Sequence, residues 1–387
     1  MQPLEGFKVL DLTHVLAGPC ATHHLRCLGA EVIKVERSVT GDPMRELAMR
    51  PQMEGVPPGF RALNAGKKSV VVDLTTPEGR AALLNLARDV DIFVENFRPG
   101  VARRLGLGPE ELRAVQPKII YCSISGWGQS GPNSARGAYD HVIQAATGMM
   151  ALQGGPGTDG PVKVGFPVVD IATGLSAAEA ILAAVVRRLR GDNSAITIDV
   201  SMVDSALMLM SGPAAATLAT GNAPERVGNR GFVGSPGAET FTTSDGYISV
   251  AANTKRQFAT LCRLLGRPDL SGPPYIPAGI ADDSFLTNLA TDALRAALAN
   301  AFAAAEADAL ETALSAEGVP AARVRDLREY LSGIYRSTPG IGVAGEPFAF
   351  SPAFRCEGNE AIALPPAPRL GADTDRLMPS LARSGSD

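Results

Sequence analysis

The chain has 387 residues, of which 45% are hydrophobic and 20% are charged, an ordinary composition for a globular protein. A formal charge of -4 and a pI of about 5.7 argue against a general nucleic-acid binder. One Trp and six Tyr offer little surface for stacking bases. The length predicts two domains. The composition and charge favour a small molecule as the binding partner.

Five cysteines are spread along the chain without the spacing of a metal site or of a disulfide framework. They are Cys20, Cys27, Cys122, Cys262 and Cys356. The first residues lack a basic segment followed by an apolar run, and no apolar stretch of ~20 residues is free of charges or glycines. We therefore expect a cytoplasmic protein with no bound metal and no membrane or nucleic-acid partner.

Short apolar runs alternate with helix-like segments in the first third of the chain. Strands are predicted at residues 8–12, 31–36, 69–74, 91–95 and 118–123. A helix is predicted after the third strand, with Thr76 as its N-cap and Pro77 at its first position. This repetition predicts a mostly parallel sheet covered by helices on both faces.

The middle of the chain changes character twice. An apolar run at residues 165–170 predicts a strand that leads into an Ala-rich helix from Ile171 to about Arg190, and another strand follows at 197–202. Residues 221–237 then hold five glycines and two prolines, which predicts a long and functional loop. Strand and helix patterns from about 238 to 330 predict a smaller second domain.

Asp170 is the first candidate for chemistry. At the predicted start of a helix, its carboxylate lies near free backbone N–H groups and the positive end of the helix dipole, which keep a nucleophile ionised. Gly174, one turn later, leaves room for a ligand. An N-cap aspartate that only starts the helix is the alternative, and the more frequent one.

A second candidate group precedes another apolar helix. Tyr139, Asp140 and His141 place a phenol, a carboxylate and an imidazole in succession, and each is able to move a proton or stabilise an oxyanion. The alternative is a capping segment in which Asp140 starts the helix and Tyr139 packs on it.

Basic residues near the predicted strand ends suggest a phosphorylated ligand, although solvated surface charge is the more frequent explanation for any one of them. They are Arg37, Lys67, Lys68, Arg98, Arg103 and Arg104. The glycine patterns of dinucleotide-binding proteins, of P-loops and of α/β-hydrolases are missing from the sequence.

Several segments, taken in order, resemble the class III CoA-transferase family (CaiB/BaiF type), which includes formyl-CoA transferase, carnitine CoA-transferase and the methylacyl-CoA racemases. The matching segments are VLDLTHVLAGPCAT, LGAEVIKVER, LNAGKKSVVVDLTTPEGR, DIFVENFRPGVARRLGL, IIYCSISGWGQSGP, AYDHVIQAATGMM, VGFPVVDIATG, TIDVSMVDSALM and APRLGADTD.

The resemblance implies an α/β fold in which a large Rossmann-like domain with a parallel sheet joins a smaller α+β domain in an interlaced homodimer. The large CoA-binding domain then comprises residues 1–212 and 335–387. Residues 213–237 form a linker with a glycine loop, and residues 238–334 form the small domain.

The resemblance also implies roles for single residues. Asp170 lies where the transferases carry their nucleophilic aspartate, and Tyr139 and Asp140 face the acyl group. Positions where the family binds coenzyme A, which is a substrate and not a permanent cofactor, are His14, Val15, Arg37, Val72, Thr75, Asn96, Phe97 and Arg104. The loop with Gly231 and Gly234 is expected to close over acylated Asp170.

Three functions remain open at this point. The first is transfer of CoA from an acyl-CoA, plausibly succinyl-CoA, to a small mono- or dicarboxylic acid. The second is a racemase, which is disfavoured because racemases carry His-Asp where this chain has Tyr139-Asp140. The third is a CoA-binding protein without turnover. Leu16, in place of a glutamine of formyl-CoA transferase, argues against formyl or oxalate specificity.

Overall fold

The computed structural model describes residues 2–47, 56–155, 159–231, 233–333 and 363–379, together with 353, 354 and 357. Contacts divide the chain into two compact units. The larger unit comprises Met1–Met150, Lys163–Ala223 and Pro339–Asp387, and the smaller unit comprises Ala151–Val162 and Pro224–Thr338. Residues 335–350 and 380–387, which the sequence assigns to the large domain, lie outside the described residues.

A six-stranded parallel sheet forms the centre of the larger unit, in the order β3-β2-β1-β4-β5-β6. Its strands are β1 (Lys8–Asp11), β2 (Glu31–Glu36), β3 (Lys68–Val71), β4 (Ile92–Glu95), β5 (Ile120–Ser125) and β6 (Ile196–Ser201). The order reverses between β1 and β4, so the loops after these two strands diverge and leave a crevice at the carboxyl edge of the sheet.

Helices cover both faces of this sheet. In chain order, the helices from residue 17 to residue 220 are α1 (Ala17–Cys27), α2 (Met44–Leu47), α3 (Pro58–Asn64), α4 (Pro77–Ala87), α5 (Val101–Arg104), α6 (Pro109–Val115), α7 (Asp140–Ala146), α8 (Met149–Leu152), α9 (Val168–Leu189), α10 (Met202–Leu209) and α11 (Ser211–Thr220). The start of α4 is as predicted, because the Thr76 side chain accepts a hydrogen bond from the N–H of Gly79 and Pro77 takes the first position.

Successive residues of each strand point to hydrophobic cores on opposite faces of the sheet. Val9 packs with α1 and α9 on one face, whereas Leu10 packs with α4 and α6 on the other. Both faces are covered, so β4 is buried along its whole length and reads in the sequence as a continuous apolar run.

A buried ion pair ties the first strand to the segment before β3. The Lys67 Nζ lies 3.0 Å from Asp11 Oδ2 and also donates to the Thr22 hydroxyl at 2.8 Å and to Asn64 Oδ1 at 2.9 Å. Burial alone would raise the pKa of Asp11, but Lys67, Lys34 and two threonine hydroxyls outweigh it and lower that pKa to about 2. Lys67 is therefore a structural residue, and the expectation that it meets a phosphate is wrong.

The far end of the chain covers the outer edge of the sheet. The Asp373 N–H donates to the Ser69 carbonyl at 2.8 Å, the Ser69 N–H donates to Asp373 Oδ2, and the Val71 N–H donates to the Thr374 hydroxyl. A short helix at Thr374–Leu377 begins at these bonds. The edge of β3 is thus occupied and not open to another strand.

The smaller unit has an antiparallel sheet in the order β7-β8-β9. Its elements are β7 (Gly237–Thr242), β8 (Tyr247–Ala252), α12 (Lys255–Leu264), a 3₁₀ helix (Pro268–Ser271), α13 (Asp292–Ala303), α14 (Ala307–Ala316), β9 (Ala321–Arg323) and α15 (Leu327–Ser332). Phe241 and Phe302 stack at 3.9 Å in its core. The predicted α/β architecture, with a parallel sheet and a separate smaller sheet, is confirmed.

Two predicted boundaries differ from the structure. Residues 213–220, assigned to a linker, belong to α11, because an Ala-rich stretch favours helix despite the preceding Gly212-Pro213. The strand predicted at 165–170 is wrong as well: α9 begins at Val168 after Pro167, a residue with no N–H for a strand ladder.

Within the described residues, α9 is long and apolar enough to cross a membrane by length and composition, and α10 with α11 would qualify only as a pair bent by 82°. Half of the most apolar window of α9 is buried in the fold, where the helix packs against α1. Such a helix is typical of a protein core.

We expect Lys67→Met to lower the free energy of unfolding by about 3–5 kcal/mol, because it leaves the Asp11 carboxylate buried without its cation. Lys68→Met is the matched control, since Lys68 pairs with Glu31 at the surface and its loss should cost less than about 1 kcal/mol. Urea denaturation of the three proteins measures both. Equal losses in the two variants would contradict a structural role for Lys67.

Candidate active site

Asp170 is the third residue of α9, in its first turn. The residue that caps this helix comes from elsewhere in the chain: Asp140 Oδ2 accepts hydrogen bonds from the N–H groups of Val169 at 2.8 Å and Asp170 at 3.1 Å. Asp140 itself is the first residue of α7. The start of α7 therefore orients the start of α9.

Gln144 completes this arrangement. It is fully buried one turn after Asp140, and its Nε2 donates to Asp140 Oδ1 at 2.5 Å. Its Oε1 accepts from the N–H of Val164 at 2.9 Å. The segment before α9 is thus held to α7 by the same side chain that binds Asp140.

The pKa of Asp170 is raised to about 7, first by burial and then by the negative charge of Asp140. The helix start was expected to keep this carboxylate ionised, but it does not hold the pKa of Asp170 down. Asp140 occupies two of the free N–H groups there and adds a like charge, so the helix end stabilises Asp140 instead of Asp170.

Gly174 lies where α9 meets α1 and not where a ligand approaches. A Cβ at this position would lie 2.7 Å from the Ala17 carbonyl oxygen and 2.7 Å from the Cys20 Cβ. The space that the sequence analysis assigned to a ligand is thus filled by α1. Cys20 is close enough to Asp170 for that carboxylate to contribute to the raised pKa of its thiol, after burial.

Tyr139 is the N-cap of α7, and 68% of its surface is exposed. Its ring lies parallel to that of His141 with a centroid distance of 6.3 Å. The phenol is therefore exposed on the surface of the larger unit, although Tyr139 is adjacent to Asp140 in the sequence.

A cavity of about 460 Å³ lies over the carboxyl ends of β1–β4 and is called the strand-end cavity below. It is lined by Leu12, Thr13, His14, Lys34, Val35, Glu36, Arg37, Ser38, Thr40, Gly41, Asp42, Pro43, Val72, Asp73, Leu74, Thr75, Phe97, Val101 and Leu105. Its position is the crevice where open parallel sheets bind ligands, and its volume is typical of a small-molecule site.

The candidate CoA residues divide into three groups. His14, Arg37, Val72, Thr75 and Phe97 line the strand-end cavity. Val15 and Asn96 adjoin it, and the exposed Arg104 is not part of its lining.

Asn96 and Val15 shape the loop after β1. The Asn96 side chain accepts from the His14 N–H at 3.0 Å and donates to the His14 carbonyl at 2.8 Å, so its amide joins the loops at the reversal point of the sheet. Val15 has a φ of 69°, a conformation that costs a β-branched residue on the order of 1–3 kcal/mol. Its N–H donates to Asp42 Oδ1 at 3.2 Å, which holds it there.

Lys34 and Asp42 form the floor of the strand-end cavity, although the sequence analysis did not single them out. The Lys34 Nζ lies 2.8 Å from Asp42 Oδ2 and donates to the Thr13 carbonyl at 2.7 Å. Burial lowers the pKa of Lys34, but the carboxylates of Asp11, Asp42 and Glu36 raise it by more. Lys34 therefore stays charged without contact to water. A lysine inside an apolar strand was the signal that pointed to it.

The remaining basic residues have different surroundings. Lys68 pairs with Glu31, and Arg98 and Arg103 line a separate cavity of about 240 Å³ beside Glu95. Arg37 is exposed at the rim of the strand-end cavity, and no carboxylate of the described residues forms an ion pair with it. Arg37 is thus the cation best placed for an anionic ligand in that cavity.

The glycine loop belongs to the smaller unit. The Gly231 N–H donates to the Ala238 carbonyl at 2.7 Å, and a Cβ at Gly231 would lie 2.8 Å from that of Ala238. Gly234 has a φ of 63° and packs against Asn288, so both positions favour glycine for local reasons. Closure of this loop over Asp170 stays a prediction.

No group of three or more His, Cys, Asp or Glu side chains is placed to hold a metal ion in the described ranges. The parallel sheet is open and has a cavity at its reversal point, and α9 begins beside the hydrogen-bonded carboxylate of Asp140. These features define an α/β protein with a small-molecule site.

The sequence profile of CoA-transferase family III matches residues 4–374, and the chain belongs to this family of enzymes. It is 34% identical to the succinyl-CoA:glutarate CoA-transferase of Mus musculus over 99% of this chain and 87% of the relative. The succinate–glutarate CoA-transferase of Agrobacterium fabrum is 39% identical over 68% of this chain and 66% of the relative.

A solved CaiB/BaiF family protein from Brucella suis has the same fold, with a TM-score of 0.86 and 32% identity over 98% of this chain and 99% of that one. The resemblance that the sequence motifs indicated is therefore confirmed, and the protein is a class III CoA-transferase.

We expect Asp170→Asn to stabilise the fold at alkaline pH. Because the folded-state pKa is raised, the unfolded chain ionises first as the pH rises from 3.8, and stability falls until the pH passes about 7. The variant should gain on the order of 2–4 kcal/mol at about pH 8 and little at about pH 4.5. Urea denaturation at both values measures this difference.

Asp89→Asn, at an exposed aspartate, is the control and should show no such dependence on pH. If Asp170→Asn is only as stable as the wild type, or less stable, at both pH values, the pKa of Asp170 is not raised in the folded protein.

Proposed function

We propose that this enzyme carries CoA from an acyl-CoA donor, with succinyl-CoA the first candidate, to a small carboxylic acid such as glutarate. The observation that carries the proposal is the half-buried carboxylate of Asp170 in the first turn of α9, in a chain of this family. The names of the relatives from mouse and Agrobacterium support succinate and glutarate as the exchanged acids.

The reaction needs only Asp170, CoA and the two acids. The Asp170 carboxylate attacks the donor thioester, the C–S bond breaks, and a mixed anhydride and the CoA thiolate result. The thiolate attacks the Asp170 carbonyl carbon, releases the donor acid as its carboxylate and leaves an aspartyl-CoA thioester. The acceptor carboxylate attacks this thioester, and the thiolate then takes the acceptor acyl group from the second anhydride and frees Asp170.

The surroundings of Asp170 favour formation of the acyl adduct. Burial and the charge of Asp140 both penalise the free carboxylate, and acylation removes its charge. Because the adduct is neutral, the repulsion from Asp140 disappears when it forms. At neutral pH a substantial fraction of Asp170 is ionised, since its pKa is about 7, so a nucleophile is present. Asp140, bound to the N–H of Asp170, orients it towards the donor.

The strand-end cavity is the proposed site of the CoA nucleotide. His14, Val72, Thr75 and Phe97 offer it a mostly apolar wall, and Arg37 offers a cation at the rim. Burial is the main cause of a lowered pKa at His14, so this ring is neutral near pH 7 and does not add to the positive charge. Arg104, the exposed last residue of α5, is a second candidate to bind a phosphate of CoA.

A homodimer in the cytoplasm remains the proposed state of the enzyme. None of the residues of α11 is buried within the chain, and large apolar side chains are exposed there and on α10. They are Leu207, Met208, Leu209 and Leu218. Apolar helices without a covering element are typical of an interface, and a second copy of this chain is the proposed cover.

The mechanism is tested by mass spectrometry after incubation with succinyl-CoA and trapping with hydroxylamine. We expect a modification at Asp170, none in Asp170→Ala, and transfer of CoA to glutarate by the wild type only. Loss of activity in Asp170→Ala should be about 10³-fold or more, because the covalent route is removed. Exchange of an α-proton of a methylacyl-CoA without any adduct would instead support the racemase alternative.

The CoA site is tested by Arg37→Ala. Loss of one charged hydrogen bond to a phosphate should weaken CoA binding by about tenfold at low salt, and by less at high salt. Isothermal titration with CoA at two salt concentrations measures the effect. Arg88→Ala, at an exposed arginine at the opposite edge of the sheet, is the control. Equal affinity in Arg37→Ala and the wild type would place the phosphates elsewhere.

A further inference from the structure

Gln144 is a buried polar residue that the proposed reaction does not use. None of its surface is exposed, and it lies in the last half of α7, four residues after Asp140. Its side chain contacts two segments: Asp140 on α7 and Val164, shortly before α9. A fully buried amide with both ends hydrogen-bonded fixes the segments that it joins.

The orientation of the Gln144 amide follows from its partners. The backbone N–H of Val164 is only able to donate, so the Gln144 oxygen must face it. The amide nitrogen then faces Asp140 Oδ1 and is able only to donate. Gln144 therefore always presents an N–H group to Asp140.

The other oxygen of Asp140 is constrained in the same way. The N–H groups of Val169 and Asp170 both donate to Oδ2, so three fixed donors converge on one carboxylate. A carboxylate accepts all three bonds, so Asp140 is held through both of its oxygens.

We propose that Gln144 is a positioning residue for acyl transfer at Asp170: it holds the Asp140 carboxylate against the first turn of α9 and holds the segment at Val164 against α7. This inference rests on the proposed function. Because the charge of Asp140 contributes to the raised pKa of Asp170, the position in which Gln144 holds Asp140 affects the pH at which the nucleophile is ionised.

Other titratable groups around the pair do not provide this control. Cys20 on α1 faces Asp170, and burial is the main cause of its pKa of about 11, so it is neutral near pH 7. Asp204 on α10 is bound to the Ser201 hydroxyl. His141 and Lys163 are exposed.

Two variants and a control test the proposal. Gln144→Leu removes both hydrogen bonds. Gln144→Glu keeps an acceptor for Val164 but, when ionised, places a negative charge beside Asp140. Gln116→Leu is the matched control, because the Gln116 amide likewise joins separate segments, as donor to the carbonyl groups of Arg88 and Val90 between α4 and β4. The rate of Asp170 acylation by succinyl-CoA is measured by rapid quenching and mass spectrometry from about pH 5 to 9.

We expect Gln144→Leu to slow acylation about 10- to 100-fold with unchanged CoA affinity, and to move the midpoint of the pH profile to lower pH, because the charge beside Asp170 is held less firmly. Gln144→Glu should move the midpoint to higher pH. Gln116→Leu should lower stability and leave the midpoint where the wild type has it.

Unchanged midpoints in both Gln144 variants would overturn the inference while the adduct in the wild type still supports the proposed function. Absence of any Asp170 adduct in the wild type would overturn the proposed function itself and this inference with it. If Gln144→Leu does not fold, the nearly isosteric Gln144→Glu decides alone.

Discussion

The arrangement around Asp170 depends on one carboxylate, that of Asp140, which accepts three hydrogen bonds. Two of these come from the first turn of α9, so the helix dipole stabilises Asp140 and leaves Asp170 as a half-buried acid beside a like charge. The fold thus keeps a carboxylate in a place where ionisation is unfavourable. Stability is lowered there, which is typical of reactive sites in enzymes.

The strand-end cavity rests on a second set of buried charges. Lys34 binds Asp42 and the Thr13 carbonyl, and Asp42 in turn binds the N–H of Val15. Each charge has a partner, and this pairing offsets the free-energy cost of burial. The same contacts fix the loop after β1 in an otherwise unfavourable conformation, at the positive φ of Val15. Asn96 adds the connection to the loop after β4. The walls of the cavity are therefore formed before any ligand arrives.

Local signals in the sequence were sufficient for many elements. The strand Glu31–Glu36 has its predicted bounds, and Thr76 with Pro77 marked the start of α4, because each of these depends on neighbouring residues only. The environment of Asp170 was not predictable in this way. Asp140 lies thirty residues before it, and only the packing of α7 against α9 brings the two together. Gly174 was misinterpreted for the same reason, since its neighbour is α1.

The position of the C-terminal segment has a consequence for the order of folding. Residues near Asp373 bond to Ser69 and Val71, some three hundred positions earlier, and the sequence between them holds the rest of the sheet and the whole smaller unit. During synthesis the ribosome completes β1–β6 and then the whole smaller unit before this segment emerges. The edge of β3 thus stays bare on the nascent chain until this segment emerges, and only then does the larger unit become complete.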